Sequence, residues 1–251
     1  MRFLVTLHRW WGIAFCLLFA MWFATGLVMH FAPYPERHER PATHEIDTAR
    51  TGAVLIDYDQ WTVSDEFDYD RPLFRYDLGD DAGTEVYASS RSGKIVLTTT
   101  RSVRMASYFG SIPHWIYPAP LRHHTTIWRA LMWWLSLLGT IGAAIGVIVG
   151  VVKLGVAIPA KAWPYRGLQA LHHGLGLIFA PFILMWIFSG FLSLGDSWPL
   201  KSLHTLDFAP FHTHPRLRTC VIVGLCLCGL AFSLTGVVLA WRRVRTSNES
   251  V

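Results

Sequence analysis

The chain has 251 residues, of which 52% are hydrophobic and 16% charged, and a formal net charge of +5. A chain this apolar cannot hide its surface in one water-soluble core, so a soluble globule is excluded and much of it must face lipid. A nucleic-acid reading of the basic balance is also excluded: residues 36–113 hold 14 acidic and 9 basic side chains, and the positive charge sits beside apolar runs, where membrane topology wants it.

Four stretches lack Asp, Glu, Lys and Arg: residues 10–35, 130–152, 167–195 and 219–241. Each exceeds the roughly 20 residues that a helix needs to cross the hydrocarbon core. The expected fold is a mainly α membrane protein, a four-helix bundle made of two related helix pairs, with a small β-containing outer domain. The expected division is a first span in 1–33, an outer domain in 34–113, a lead-in and second span in 114–153, and a cytoplasmic loop in 154–166. A third span in 167–195, an outer loop in 196–217 and a fourth span with a basic tail in 218–251 complete it.

The first span opens with Leu7-His8-Arg9-Trp10-Trp11-Gly12 and ends near His30. Its apolar run is long for a signal peptide, and no small-x-small cleavage site follows, so it is expected to be retained. Arg2 and Arg9, then Lys153, Lys161 and Arg166, then Arg242, Arg243 and Arg245 flank the spans without nearby acids. By the positive-inside rule these segments and both termini are cytoplasmic, although Arg216 and Arg218 weaken the contrast. The localisation expected is a bacterial inner membrane crossed several times.

Residues 33–60 read as a polar exit from the membrane, followed by a short helix or turn near Trp61–Asp70. Strand-like runs follow at 73–78 and 85–88, and Val86 to Leu97 alternates, turns at Ser92-Gly93 and resumes as a β-branched run, which is a β-hairpin. Beyond it lies His114-Trp115-Ile116-Tyr117-Pro118-Ala119-Pro120-Leu121-Arg122, then His123 and His124.

The third span repeats the first. Residues 7–30 lie without a gap on residues 171–194, matching Leu7/Leu171, His8/His172, Gly12/Gly176, Phe15/Phe179, Met21/Met185, Trp22/Trp186 and Gly26/Gly190, with Thr25 facing Ser189. Chance rarely matches a His, two Gly and a Trp in one register, so the chain reads as two related halves. The cysteines, Cys16, Cys220, Cys226 and Cys228, all fall in spans, where a small hydrophobe is the expected role. The tryptophans near span ends, including Trp10, Trp11, Trp133, Trp134 and Trp241, read as an aromatic belt. Gly139, Gly142, Gly146 and Gly150 read as close helix packing.

The Leu-His-Arg-Trp start, the Ser-Gly-Lys-Ile-Val-Leu hairpin, the HWIYPAPLR stretch and the echo at His172 together resemble the PepSY-associated transmembrane family over nearly the whole chain. Members similar to this chain include inner-membrane reductases that act on ferric siderophores. The resemblance implies that activity, with iron released as the more weakly chelated Fe(II).

An ionisable residue inside a span is a functional hypothesis by default. Haem held between facing helices is the cofactor that best suits such histidines. His8 and His172, at equivalent helix ends, are expected to ligate one haem b on the cytoplasmic side. His30 lies about 33 Å further along the first helix and roughly 40° around it, and a second, outer haem would take it with a partner. Candidates for that partner are His114, His123, His124, His204, His212 and His214, with His123 or His124 favoured at the start of the second span. His173, His38 and His44 read as bystanders, and a zinc site in the outer cluster is an alternative use of those residues.

The expected function is therefore a haem b reductase that takes electrons from quinol or a cytoplasmic reductant and passes them to a ferric siderophore or another periplasmic acceptor. The rivals are a membrane-anchored PepSY-type binding or regulatory module without redox activity, and a haem electron carrier for a partner enzyme. No glycine-rich dinucleotide fingerprint is present, so no built-in nicotinamide or flavin site is expected.

Overall fold

A computed structural model describes residues 2–41, 52–157, 163–194 and 213–248. His44, Lys161, His204 and His212, singled out above, lie outside the described residues. The elements run α1 (Arg2–Phe31), β1 (Val54–Ile56), a 3-10 turn (Asp65–Phe67), β2 (Leu73–Asp77), β3 (Glu85–Ser89) and β4 (Ile95–Thr99). Helices α2 (Arg101–Phe109), α3 (Ser111–His114), α4 (Ala119–Arg122), α5 (Thr125–Ala157), α6 (Gly167–Ser193) and α7 (Pro215–Asn248) follow. The chain divides into two compact units, one of Met1–Leu27 and Ala130–Val251, the other of Val28–Arg129.

The first unit holds the long helices. α1, α5 and α7 are each long and apolar enough to cross a membrane, and α6 makes a fourth span if its two halves are counted as one. Those halves, Gly167–Phe179 and Pro181–Ser193, meet at a bend of 60°. The cause is Pro181, which removes one helical N–H and whose ring collides with the carbonyl a turn earlier. The matching position of α1 is Leu17, so the two repeats share a register but not a shape.

Burial in this unit is inverted relative to a soluble protein. Trp10, Leu17, Trp134, Ile148, Ile178, Leu227 and Trp241 are exposed, whereas Thr25, Ser136, Ser189, Ser233 and Thr235 are buried. The buried hydroxyls are satisfied within their own helices: Thr25 donates to the Met21 carbonyl at 2.7 Å, Ser189 to Trp186 at 3.0 Å and Ser233 to Gly229 at 2.8 Å. That is how hydroxyls are accommodated where no water competes. Trp11 departs from the aromatic-belt reading. Its indole turns inward and donates to the Leu138 carbonyl at 2.9 Å. All four cysteines are free thiols.

The second unit is built on a four-stranded antiparallel meander in the order β1-β2-β3-β4. The hairpin read from the sequence is β3–β4, and the turn near residue 65 is the 3-10 turn. The chain exit reads differently: Arg40 bridges Ile95 on the free edge of β4, and β1 pairs with β2. Both were missed because neither segment alternates cleanly. Trp61, Phe67, Leu73, Tyr87, Val96, Leu97 and Ile112 form the core, with Tyr34 packed on it.

The HWIYPAPLR stretch lies within this unit and closes it. Gln60 accepts a hydrogen bond from Tyr34 Oη at its carbonyl, while its side chain donates to the Tyr117 carbonyl at 2.8 Å and accepts from the Ala119 N–H at 2.8 Å. Arg122 is buried, with its guanidinium 4.8 Å from the Trp128 ring and 5.3 Å from the Tyr117 ring, and it donates to Asp65 at 2.8 Å. Burial alone would raise the Asp65 carboxyl, but the hydrogen bond and charge of Arg122 outweigh it and hold it below the usual carboxylate range.

A folded-state value below the unfolded one gives stability that is present above the ordinary carboxylate range and lost as pH falls through the folded value. Arg122→Ala should therefore destabilise the protein by about 2 kcal/mol, through the lost charge-assisted bond and cation–π contacts. It should also flatten the fall of the melting temperature on acidification. A melt followed by circular dichroism at neutral and acid pH measures both; an unchanged neutral-pH melting temperature would show that the buried guanidinium is not a stabilising contact.

Candidate functional site

α1, α5, α6 and α7 enclose a cavity of about 430 Å³, within the range of small-molecule and cofactor pockets. His8 and His172, matched by the sequence repeat, both line it, as do Cys16, Phe19, Leu177 and Phe232. Arg9 and Arg243 also line it, and the described residues of this unit contain no Asp or Glu. The cavity is thus an apolar slot with the two repeat-matched imidazoles on its wall and positive charge at its border.

Each imidazole sits over a glycine of the following helix. A Cβ at Gly146 would stand 2.8 Å from Cε1 of His8, closer than carbon atoms come without something moving. A Cβ at Gly236 would stand 3.5 Å from Cε1 of His172 and 3.6 Å from Cβ of Cys16. Gly142 does the same for Trp11, whose Cδ1 would lie 2.2 Å from an added Cβ, and Gly150 for Leu177, at 2.9 Å. The glycine row of α5 is therefore more than close packing of backbones: Gly142 and Gly146 make room for ring side chains brought in by α1, and Gly150 for Leu177 of α6. The signal was in the sequence. Gly139 and Gly146 recur as Gly229 and Gly236 with the same spacing, and Gly146-Val-Ile-Val is echoed by Gly236-Val-Val-Leu, so the repeat extends to the second helix of each half.

His172 has its tautomer fixed. Its Nδ1 lies 2.8 Å from Thr235 Oγ1, and that hydroxyl donates its only proton to the Phe232 carbonyl at 2.6 Å. Thr235 is left with lone pairs, so the imidazole must supply the hydrogen through Nδ1–H. Nε2 is then a bare lone pair, the form in which a neutral histidine binds a metal, with the other nitrogen held by an outer partner. The ring stacks on Phe232 at 4.5 Å between centroids, which holds its plane.

His173, read above as a bystander, is buried and lines the same cavity. Its Nε2–H donates to the Gly150 carbonyl at 3.0 Å, its ring meets Trp163 and Tyr165 edge-on at 5.2 and 5.1 Å, and Nδ1 has no hydrogen-bond partner. Nothing in the sequence distinguished it, because its repeat equivalent is Arg9 rather than a histidine.

Of the candidate second-haem histidines among the described residues, all but His214 lie in the second unit. His30 lies at the end of α1 with its ring edge-on to Phe31 at 5.0 Å. His114 ends α3. His123 and His124 are exposed just before α5; His123 stacks on Tyr58 at 4.2 Å and meets His124 edge-on at 5.5 Å. His214 is exposed, with Nδ1 2.8 Å from Thr213 Oγ1. No group of three or more His, Cys, Asp or Glu side chains arranged to hold a metal ion occurs among the described residues, so the zinc alternative has no geometric support there.

The donor set of the cavity suits a flat, largely apolar ring carrying a metal that accepts imidazole nitrogen. Gly146 leaves room for the His8 ring on the cavity wall, and Arg9 and Arg243 border the cavity. In comparisons with known proteins, a family model described as the PepSY-associated TM region matches residues 5–219. No curated protein matches the chain. No solved structure matches it either.

Proposed function

We propose that this chain, which belongs to the PepSY-associated TM family, is a haem b membrane reductase that delivers single electrons to chelated ferric iron on the side of the membrane where its sheet-bearing unit lies. The observation that carries the reading is the pair of repeat-related histidines, each seated on a glycine and both lining one apolar cavity. Haem bound there supplies reversible one-electron transfer. Everything else is done by the chain.

His8 and His172 would hold the haem iron through their imidazole nitrogens. Thr235 and Phe232 keep His172 in the tautomer and plane that present Nε2. Gly146 leaves the space that the His8 ring occupies, and the apolar lining excludes water, which favours a stable coordination shell and fixes the local dielectric. Arg9 and Arg243, which line the cavity, would pair with the carboxylate substituents of a bound haem. A second haem would take His30 with His123 or His124, all in the second unit. The electron donor is quinol or a cytoplasmic reductant, and the acceptor a ferric siderophore whose iron leaves as Fe(II).

The test is an absorption spectrum of the detergent-purified protein, oxidised and dithionite-reduced, with a pyridine haemochrome count of haem per chain. The reduced protein is then mixed with a ferric hydroxamate chelate in the presence of an Fe(II)-trapping dye. A sharp reduced α-band that is lost on adding the chelate, together with dye-bound Fe(II), is expected. A protein that stays colourless after haem supplementation would leave a membrane-anchored binding module as the reading. Haem that the chelate does not reoxidise would leave an electron carrier for a partner enzyme.

Thr235→Val, close in shape but without an acceptor for the His172 proton, should weaken haem binding by roughly 10- to 100-fold, the usual effect of removing a partner of a ligating histidine. It should also shift the reduction potential, whereas Thr235→Ser should keep both near wild type. Equal affinity and potential in all three proteins would remove Thr235 from the site.

A further inference from the structure

α2 is amphipathic the wrong way round for a helix of a soluble domain. Thr100 caps it, its hydroxyl accepting from the Val103 N–H. Its inward face carries the polar groups: Ser107 is fully buried and donates to the Val103 carbonyl at 2.9 Å. Arg104 lies against the sheet end, donating to the Gly83 carbonyl at 2.9 Å and pairing with Glu85 at 3.3 Å. The outward face carries Met105, Tyr108 and Phe109, exposed by 53%, 51% and 67%. In water such a patch is a liability that helices normally avoid by turning the other face outward.

Its position explains the inversion. Gly110, directly after Phe109, packs so closely on the last turns of α1 that an added Cβ would stand 3.0 Å from Val28 Cγ1 and 3.3 Å from the Met29 nitrogen. Val28 and Met29 close the apolar run of a membrane-crossing helix, and the charged residues that mark its exit begin at Glu36. The end of α2 is therefore pinned at the level where hydrocarbon gives way to headgroups. The exposed face grades in the matching sense along the helix, from Arg101 and Ser102 at the far end, through Met105, to Tyr108 and Phe109 beside α1. Phe31, which ends α1, is likewise 66% exposed. Aromatic side chains at that depth and a cation above them are what an in-plane interfacial helix presents to lipid.

We propose that α2 is a lipid-contacting helix: Met105, Tyr108 and Phe109 insert into the boundary between headgroups and acyl chains of the leaflet on the sheet-bearing side, with Arg101 at phosphate height. The occupant of this face is the bilayer itself. The role is independent of haem binding. It anchors the sheet through Thr99–Thr100–Arg101, the direct link from β4, and limits how far that unit can lift from the membrane.

The test uses the full chain, with its four cysteines replaced, in phospholipid nanodiscs. Phe109→Cys, Met105→Cys and, as an aqueous reference, Asp81→Cys each carry a nitroxide, and power saturation compares accessibility to oxygen, which concentrates in lipid, with accessibility to a water-soluble nickel chelate. The two α2 positions are expected to favour oxygen, and Asp81 the nickel chelate. The proposal is overturned if the α2 labels behave like Asp81, or if they are shielded from both reagents, which would put a protein surface such as a second copy of the chain on this face. Because two positions are read, misfolding of one variant leaves the other to decide.

Discussion

Replacing His8 or His172 by alanine should convert the inner haem from low-spin to high-spin, and replacing both should abolish it. The expectation follows from the cavity, where two imidazoles are the metal-binding side chains on the wall that the repeat supplies in pairs. With one imidazole removed, the other would hold the haem iron alone; with both removed, neither member of the repeat-matched pair remains to hold it. Absorption and low-temperature electron paramagnetic resonance read the spin state, and the pyridine haemochrome count reads occupancy. Imidazole added in solution should restore the low-spin spectrum of each single variant, because it fills the vacated coordination position, and should not restore haem to the double variant. Single variants that keep a low-spin spectrum would place the ligands elsewhere, and His173, with a buried Nδ1 in the same cavity, would be the first residue to try next.

The second large effect involves no ligand at all. Gly146→Leu should weaken haem binding by roughly ten- to a hundred-fold, since overpacking costs about 1–3 kcal/mol and each 1.4 kcal/mol is tenfold. The Cβ alone would stand 2.8 Å from Cε1 of His8. The imidazole must move, and the geometry it presents to the cavity is lost. The helix itself should not suffer, because leucine is the better helix former by up to about 1 kcal/mol. Gly155→Ala on the same helix, where nothing lies within 4 Å of the added carbon, is the matched control and should bind haem as wild type does. Titration of the haem-free proteins with haemin measures the difference. Equal affinities for Gly146→Leu and Gly155→Ala would mean that His8 is free to swing clear, and that its seat on the glycine carries no function.

These expectations mark the boundary between what a reader of the sequence could know and what the folded chain added. Uncharged runs longer than a bilayer is thick made the membrane helices legible, because hydrocarbon admits no exposed charge or unpaired backbone and so writes its requirement into composition. The β3–β4 hairpin was legible because alternation and a Ser-Gly turn are local, and His8 with His172 because a gapless repeat carries a functional pair from one half to the other. The bend of α6 was visible only as Pro181 in an otherwise apolar run; its angle depends on the packing around it.

Strand β1 and the edge bridge at Arg40 were not legible, because three residues or fewer of pairing leave no period to read. The inversion of α2 was hidden for a different reason. Its sequence shows an apolar stripe but not which way that stripe faces, and facing is settled by Gly110 against Val28 and by Arg104 reaching Glu85 across the fold. The sequence by itself determined the class of the protein, its pairing of halves and the matching of His8 with His172. The tertiary structure alone decided that those histidines share one cavity, that glycines make their room, that Thr235 sets a tautomer, and that His173 and Trp11 turn inward. Each of these depends on which face of one helix meets which face of another, and a side chain's own neighbours in the chain do not encode that.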